Sequence, residues 1–467
     1  MREPGPLPAG PNFKAPEGRY CLHGERTYGS LPFSYMRCTR MARATLTSGG
    51  DADGEWLIYN SGDYLYVCRS DSTKREVTRA LSFATSMSKA SHPTCLAWAP
   101  TKEGPDMIVG TFDGIVNLLS LKSLIKSTGL SSKPDVAGRV IPEPENDEAR
   151  ITGVAWLPET DGLFVVATAS GLLYMYKRSS VTGESSSKFL GLGGSSKPVV
   201  PAAVWSPGGG CVNDLAASPD GRLLAVACRD GALRLLDAGS GATLHGCYSH
   251  YGALLCCAFS ADGKYVAAGG EDDLVMVYGV EERCVVAHLE GHNSWVSRVA
   301  FDPHAQLATC AGIAAMYRLA SVGQDGQLLL WEVQLSDEDG GGSSIGAAAG
   351  GAGGGGGGGG GMRKSTSTQS LKTGGWQGST EGTASGGVKR TGGGSSGLSG
   401  VLMPSLPRAD MLVYEPIMER RLHSTPLSDL LLTSRMLYTA DHGGVIKMWL
   451  RPSASDSSMQ PQCVSRP

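Results

Sequence analysis

A pair of turn residues recurs along this chain at one fixed place between two apolar runs. The pairs are Asp113-Gly114, Ser170-Gly171, Asp230-Gly231, Asp272-Asp273, Asp325-Gly326 and Gly443-Gly444, with Ser61-Gly62 in a partial unit between Trp56 and Cys68. Gly and Asp tolerate the backbone angles of a tight hairpin, so each pair marks the join between two antiparallel strands. The runs upstream match one another as well. Thr94-Cys95-Leu96-Ala97-Trp98 corresponds to Thr152-Gly153-Val154-Ala155-Trp156, and Asn213-Asp214-Leu215-Ala216-Ala217 to Ser297-Arg298-Val299-Ala300-Phe301. A single sheet of such short strands cannot bury both of its faces, whereas a ring of sheets buries all of them and protects the edges. The expected fold is therefore all-β, a propeller of seven blades. Trp56–Cys68 lies in the first blade and Leu427–Trp449 in the last; six and eight blades are the neighbouring alternatives. Arg37–Thr47 is the candidate for an N-terminal strand that completes the last blade.

Three segments interrupt the repeat. Met1–Ser34 is Pro-rich and is expected to be weakly ordered. Gly183–Pro201 is Ser/Gly-rich and reads as a long loop. Ser336–Pro407 carries a poly-Gly run at Gly353–Gly361 and has too little apolar surface to offset its chain entropy, so disorder is expected there. The organisation is accordingly a Pro-rich segment at 1–36, blades one to six at 37–335, a disordered Gly/Ser-rich insert at 336–408, the last blade at 409–452 and a disordered tail at 453–467. Within the insert, Arg363-Lys364-Ser365-Thr366-Ser367 resembles a site for a basic-directed kinase, and a phosphate there would act on partners and not on the fold.

The formal net charge of -3 gives no reason to expect nucleic acid or an anionic membrane as partner. No apolar run reaches the roughly 20 residues that span a bilayer. The 12 Cys are scattered through expected strands without a Cys-x-x-Cys pair, which fits buried reduced thiols in a cytoplasmic or nuclear protein. Catalytic motifs are missing from the places where they would function. Two Gly-x-Ser-x-Gly matches, Gly342/Ser344/Gly346 and Gly393/Ser395/Gly397, sit in low-complexity sequence without the strand and helix that a nucleophile elbow needs. There is no Walker motif, and the nine His show no ligand spacing. No enzyme activity, cofactor or metal is expected.

One repeat carries Gly291-His292, then Ser321, Asp325 and Trp331-Glu332. This resembles the WD40 signature, in which His, Ser, Asp and Trp hydrogen-bond across the strands of a blade; Glu332 replaces the usual Asp. His292, Ser321, Asp325 and Trp331 are therefore read as structural. Elsewhere the network is partial, with Tyr278 where Trp would stand and Tyr176 ending an earlier repeat. Residues just before a first strand reach the top rim of a propeller. Trp295 is in that position, and Tyr251 holds a neighbouring one in the preceding repeat. Large aromatics there form a candidate partner-binding patch, with packing on the molecule's own loops as the alternative. Glu271 and Asp273 would add an acidic rim; Asp272 between them is also read as a turn residue.

Longer runs are more specific. They are Tyr251–Cys257, Asp262–Tyr265, Gly269–Val275, Gly291–Pro303, Met316–Trp331 and Pro426–Pro452. Together these resemble the WD-repeat family that contains the fungal catabolite-repression protein CreC and the vertebrate dystrophia myotonica WD-repeat protein. The N-terminal Ala15–Tyr20 is most similar to its green-plant members. The resemblance implies a propeller that binds and activates a ubiquitin-specific protease, in animal members together with a second WD-repeat protein. It implies that top-face aromatics contact the protease, and the matching positions here are Tyr251 and Trp295. The chain would be a monomer within a hetero-complex. Two other readings stay open. One is a substrate receptor of a cullin-type ubiquitin ligase, although the repeat ends Trp331-Glu332-Val333-Gln334 and Leu236-Asp237-Ala238-Gly239 lack the Trp-Asp-x-Arg motif. The other is a general signalling scaffold.

Overall fold

The computed structural model describes residues 10, 12–27, 38–47, 53–70, 79–83, 91–100, 106–126, 136–146, 150–183, 199–304, 315–335, 400–405, 407 and 411–452. The kinase-type motif at 363–367 and most of the 336–408 insert lie outside the described residues, as do positions 184–198 of the expected loop. The described strands form seven sheets of four or five strands each. Their innermost strands, in chain order, are Met41–Leu46, Pro93–Ala99, Ile151–Trp156, Val212–Ala217, Leu254–Phe259, Val296–Phe301 and Leu427–Leu432. Each lies beside the innermost strand of the next sheet, and the seventh lies beside the first. The molecule is a closed seven-bladed propeller.

The buried side chains explain why these strands read as apolar runs and not as simple alternation. Strand Leu163–Thr168 sends Phe164 and Val166 into the core shared with the second blade, and Val165 and Ala167 into the core shared with the fourth. Successive side chains point to opposite faces, and here both faces are covered. Each of the seven apolar clusters draws on two neighbouring blades, including the one between the last blade and the first around Met41, Leu57, Tyr438 and Met448. In six inner strands the pairing slips by one residue near the start. Such a bulge re-aims a side chain, and three of the bulged residues hold the next blade. Thr94 Oγ1 donates to Ile151 O at 2.6 Å, Asn213 Nδ2 to Leu254 O at 2.7 Å and Ser428 Oγ to Thr39 O at 2.9 Å.

Ring closure corrects two expectations. The strand that completes the last blade is Gly18–Arg26, antiparallel to Ile446–Leu450, with Asn12–Ala15 folded outside it as a fifth strand. Arg37–Thr47 does not play this role, because Met41–Leu46 is the inner strand of blade one. Residues 12–26, expected to be weakly ordered, are strand because Phe13 and Tyr20 are apolar anchors. Their rings stack at 4.7 Å, and Phe13 meets Trp449 edge-on at 5.1 Å. Charges secure the same seam. Glu17 accepts from the Tyr20 hydroxyl at 2.6 Å and pairs with buried Arg318 at 2.7 Å, while Arg451 pairs with Asp302 at 2.6 Å.

The sixth blade is also built from two stretches of chain. Its third strand ends at Leu335, and its fourth is Met418–Arg421, past the insert. Before reaching that place the chain adds Val401–Met403 in parallel to the outer edge of blade four, and Val413–Tyr414 in parallel to the outer edge of blade five. The expected boundary at residue 335 between blades one to six and the insert is thus displaced. The returning chain covers two sheet edges that would otherwise expose unpaired backbone groups.

Tyr20 is 1% exposed, and its removal would empty the seam. Tyr20→Ala is expected to cost about 3–5 kcal/mol of stability, read as a lower thermal midpoint. Tyr20→Phe, which keeps the ring and loses only the bond to Glu17, is expected to cost about 1 kcal/mol.

Candidate partner-binding face

The segments that lead into the inner strands, and the turns between second and third strands, emerge on one face because consecutive strands run in opposite directions. Tyr251 precedes the inner strand Leu254–Phe259 of blade five, and Trp295 precedes Val296–Phe301 of blade six. The structure therefore sets both on the same face of adjacent blades. Tyr251 is 77% exposed and Trp295 43% exposed. Among the described residues neither ring packs on another aromatic ring, in contrast to the buried Trp449 and Tyr278.

The loops under these two side chains are held firmly. The Glu271 carboxylate accepts the Ala253 N–H at 3.1 Å, and the Glu271 N–H donates to Ala253 O at 2.9 Å. Gly252, beside Tyr251, has φ 70, and a side chain there would stand 2.8 Å from Glu271 Cβ. Only glycine meets both demands. Trp295 O accepts the Gln324 N–H at 2.9 Å. Of the acidic group, Glu271 thus braces the Tyr251 loop. Asp272 is a turn residue whose carboxylate accepts from His250 N at 3.2 Å and Leu274 N at 3.3 Å. Asp273 is half-buried at φ 62, and burial together with the nearby Asp325 charge raises its carboxyl pKa.

Beneath Trp295 runs a chain of hydrogen bonds through blade six. Trp331 Nε1 donates to Ser321 Oγ at 2.9 Å, Ser321 Oγ lies 2.8 Å from His292 Nε2, and His292 Nδ1 lies 3.0 Å from Asp325 Oδ2. The donor inventory orients the chain. The indole can only donate, so Ser321 Oγ accepts from it; with a neutral His292 that carries its proton on Nδ1, facing Asp325, the hydroxyl donates to Nε2. Burial opposes charge on Asp325 most strongly, but the bond and charge of His292 together with the backbone N–H donors of Asn293 and Gln327 outweigh it and keep the carboxyl below its usual range.

Sequence reasoning missed a second complete chain. In blade seven Trp449 Nε1 donates to Thr439 Oγ1 at 3.2 Å, Thr439 Oγ1 lies 2.8 Å from His423 Nε2, and His423 Nδ1 lies 3.0 Å from Asp441 Oδ2. Blade five has lost the arrangement. Ala268 stands at the hydroxyl position, the Tyr278 hydroxyl turns to His245 Nδ1 at 2.8 Å, and His250 Nδ1 is met at 2.9 Å by Ser405 from the returning chain. Three more exposed aromatics on this face were also missed: Tyr64, Phe112 and Tyr248. Their turn positions are the signal that would have found them. Tyr64 and Phe112 lean on neighbours, however, on Tyr66 at 6.1 Å and on His92 at 4.9 Å.

Among the described residues no group of three or more His, Cys, Asp or Glu is arranged to hold a metal, and no helix is long and apolar enough to cross a membrane. The model for the WD domain, G-beta repeat, matches residues 241–279 and 283–332, and that for the anaphase-promoting complex subunit 4 WD40 domain matches residues 202–259. The fold is similar to a chain in a structure described as the crystal structure of the mitotic checkpoint complex. That match has a TM-score of 0.50 and 13% identity over 91% of this chain and 96% of the other, a likeness of fold alone. The fold and these matches define the class: the chain is a β-propeller carrying WD40 repeats.

The blade-seven chain carries a pH signature. Burial holds the His423 imidazole below its ordinary 6.5. The unfolded chain then binds a proton that the folded one excludes, so this contribution is whole above pH 6.5 and declines as pH falls through that value. Asp325 and Asp441, held below 3.8, lose theirs only at lower pH still. Thermal midpoints are expected to drop as pH falls from about 7 to about 4. Thr439→Val, which strands both Trp449 Nε1 and His423 Nε2, is expected to cost about 1–3 kcal/mol, whereas Thr439→Ser keeps most of the stability.

Proposed function

We propose that this chain is a non-catalytic WD40 scaffold that binds, and activates, a ubiquitin-specific protease through the face bearing Tyr251 and Trp295. The observation that carries the reading is the exposure of these two aromatics on adjacent blades, at the positions where the CreC-type resemblance calls for protease contacts. A Tyr with three quarters of its surface in water gains little from its own fold. In a complex it would bury a large area at low entropy cost, which is how Tyr and Trp dominate binding hot spots. The braced backbone beneath them would lower the ordering cost of association further. Glu271 and Asp273 line the same rim, and rim charge acts mainly on encounter rate and specificity. A second WD-repeat protein is the expected co-partner.

Activation then means that binding favours the active arrangement of a distant catalytic site. A tenfold effect requires only about 1.4 kcal/mol of coupling. The test is capture from cell extract on the intact chain and on a Tyr251→Ala/Trp295→Ala pair, read by mass spectrometry. A ubiquitin-specific protease held by the wild type and lost from the double variant, with thermal midpoint unchanged, is the expected result. Capture of cullin-ligase adaptor subunits instead, or equal protease capture by both chains, contradicts it.

A further inference from the structure

The segment that leads into blade one is strapped in place from two sides. Asn60 Nδ2 donates to Cys38 O at 3.0 Å, Ser428 Oγ to Thr39 O at 2.9 Å and Arg40 Nη1 to Ser428 O at 3.0 Å. Cys38 lies two residues before Arg40, whose carbonyl accepts the Asn60 N–H at 3.2 Å; Tyr251 lies two residues before Ala253, whose carbonyl accepts the Glu271 N–H at 2.9 Å. Cys38 therefore holds in blade one the place that Tyr251 holds in blade five, and it is exposed. Beside it stands His442, in the turn between the second and third strands of blade seven, with its backbone N–H bonded to Pro426 O at 3.0 Å. The Cys38 sulfur lies 3.8 Å from His442 Nδ1 and 3.9 Å from Nε2. Nearly equidistant from both nitrogens, it meets the charge of a protonated ring and not one aligned bond.

We propose that Cys38 and His442 are a thiolate–imidazolium pair, and that Cys38 is a site of oxidation by hydrogen peroxide. Reactive cysteines are exposed and lie beside a positive charge, because the thiolate and not the thiol is the nucleophile. Among the described cysteines only Cys38 is exposed. Desolvation is the largest influence on its thiol and raises it, and the charge of Asp429 acts in the same direction; the bond from His442 and the charges of Arg40 and His442 outweigh both and hold the thiol below its ordinary 9.0. The same contact raises His442 above 6.5, aided by Asp441 and opposed by burial and Arg40. Burial instead pushes Cys68 up to about 11, and Cys95 and Cys256 up to about 12. In the reaction the thiolate attacks one peroxide oxygen. An S–O bond forms as the O–O bond breaks, sulfur gives two electrons to the peroxide, and the departing hydroxide takes the imidazolium proton of His442 and leaves as water. The product is a sulfenic acid beside a neutral histidine, the reversible first step of thiol oxidation. The pair lies on the face of Tyr251, but its chemistry does not depend on which partner that face binds.

The test uses the full chain and reads each cysteine separately in chymotryptic peptides by mass spectrometry. In one arm iodoacetamide labels the chain for short times across a range of pH. In the other, hydrogen peroxide is added and sulfenic acid is trapped with dimedone. The reference within the chain is half-buried Cys284, whose thiol is raised by burial and by Glu282. Cys38 is expected to alkylate faster than Cys284 at neutral pH, to reach half its limiting rate at a lower pH, and to collect the dimedone adduct first. A tenfold gain in thiolate is offset about threefold by lower nucleophilicity, so His442→Gln is expected to slow alkylation of Cys38 at neutral pH by only about threefold. The variant is also expected to move the half-rate pH of Cys38 upward and to leave Cys284 unchanged. The wild-type comparison carries the test if the variant has a lowered thermal midpoint. A Cys38 that reacts no faster than Cys284, that collects no dimedone adduct, or whose rate and half-rate pH are the same in a folded His442→Gln chain overturns the proposal.

Discussion

The pairing of Gly18–Arg26 with Ile446–Leu450 is the interaction on which the rest of this molecule depends. Every blade needs a neighbour on each side, because its strands are apolar on both faces. Blades two to six obtain both neighbours in chain order. Blades one and seven obtain theirs only if the two ends of the chain meet. The entropic cost of closing so long a loop grows only logarithmically with its length, and the seam offsets it by burying Phe13, Tyr20 and Trp449 together. The ion pairs of Glu17 with Arg318 and of Arg451 with Asp302 fix the alignment of that seam. Pairs so deeply placed contribute little net stability over apolar packing, but breaking one would leave a buried charge unmatched.

A second constraint acts across the central channel. Arg298, on the inner strand of blade six, pairs with Asp214 of blade four at 2.8 Å and with Asp429 of blade seven at 3.3 Å. Asp429 in turn accepts the Met41 N–H of blade one at 2.6 Å, and Asp214 the Cys257 N–H of blade five at 3.1 Å. One guanidinium thereby ties together blades that are not sequence neighbours. Its charge is held by two carboxylates, which raise its pKa further. The turn chemistry of Gly252 and Glu271 supports the Tyr251 loop on this frame.

Local chemistry was legible in the sequence, and long-range pairing was not. The turn pairs and the apolar runs between them are properties of neighbouring residues, and from them follow the hairpins and the all-β propeller. The exposed positions of Tyr251 and Trp295 followed from the same repeat register. The closing strand escaped notice because nothing within residues 12–26 names a partner some four hundred residues away, and the Pro-rich start of the chain suggested disorder. The fourth strand of blade six was hidden for a similar reason, since the insert separates Met418–Arg421 from the hairpin it joins. The second His-to-Trp chain was missed on two local substitutions. Thr439 stands for Ser, and Asp441 follows it by two residues where Asp325 follows Ser321 by four.

The central claim is that the N-terminal strand is an integral part of one closed ring. Amide hydrogen exchange followed by mass spectrometry tests it directly. Residues 18–26 and 446–450 are predicted to exchange as slowly as the central strands Leu223–Cys228 and Tyr265–Gly270, because they open only when the ring does. Rapid exchange of residues 18–26 while those central strands stay protected would contradict it, and would mean that the ring holds together without its seam.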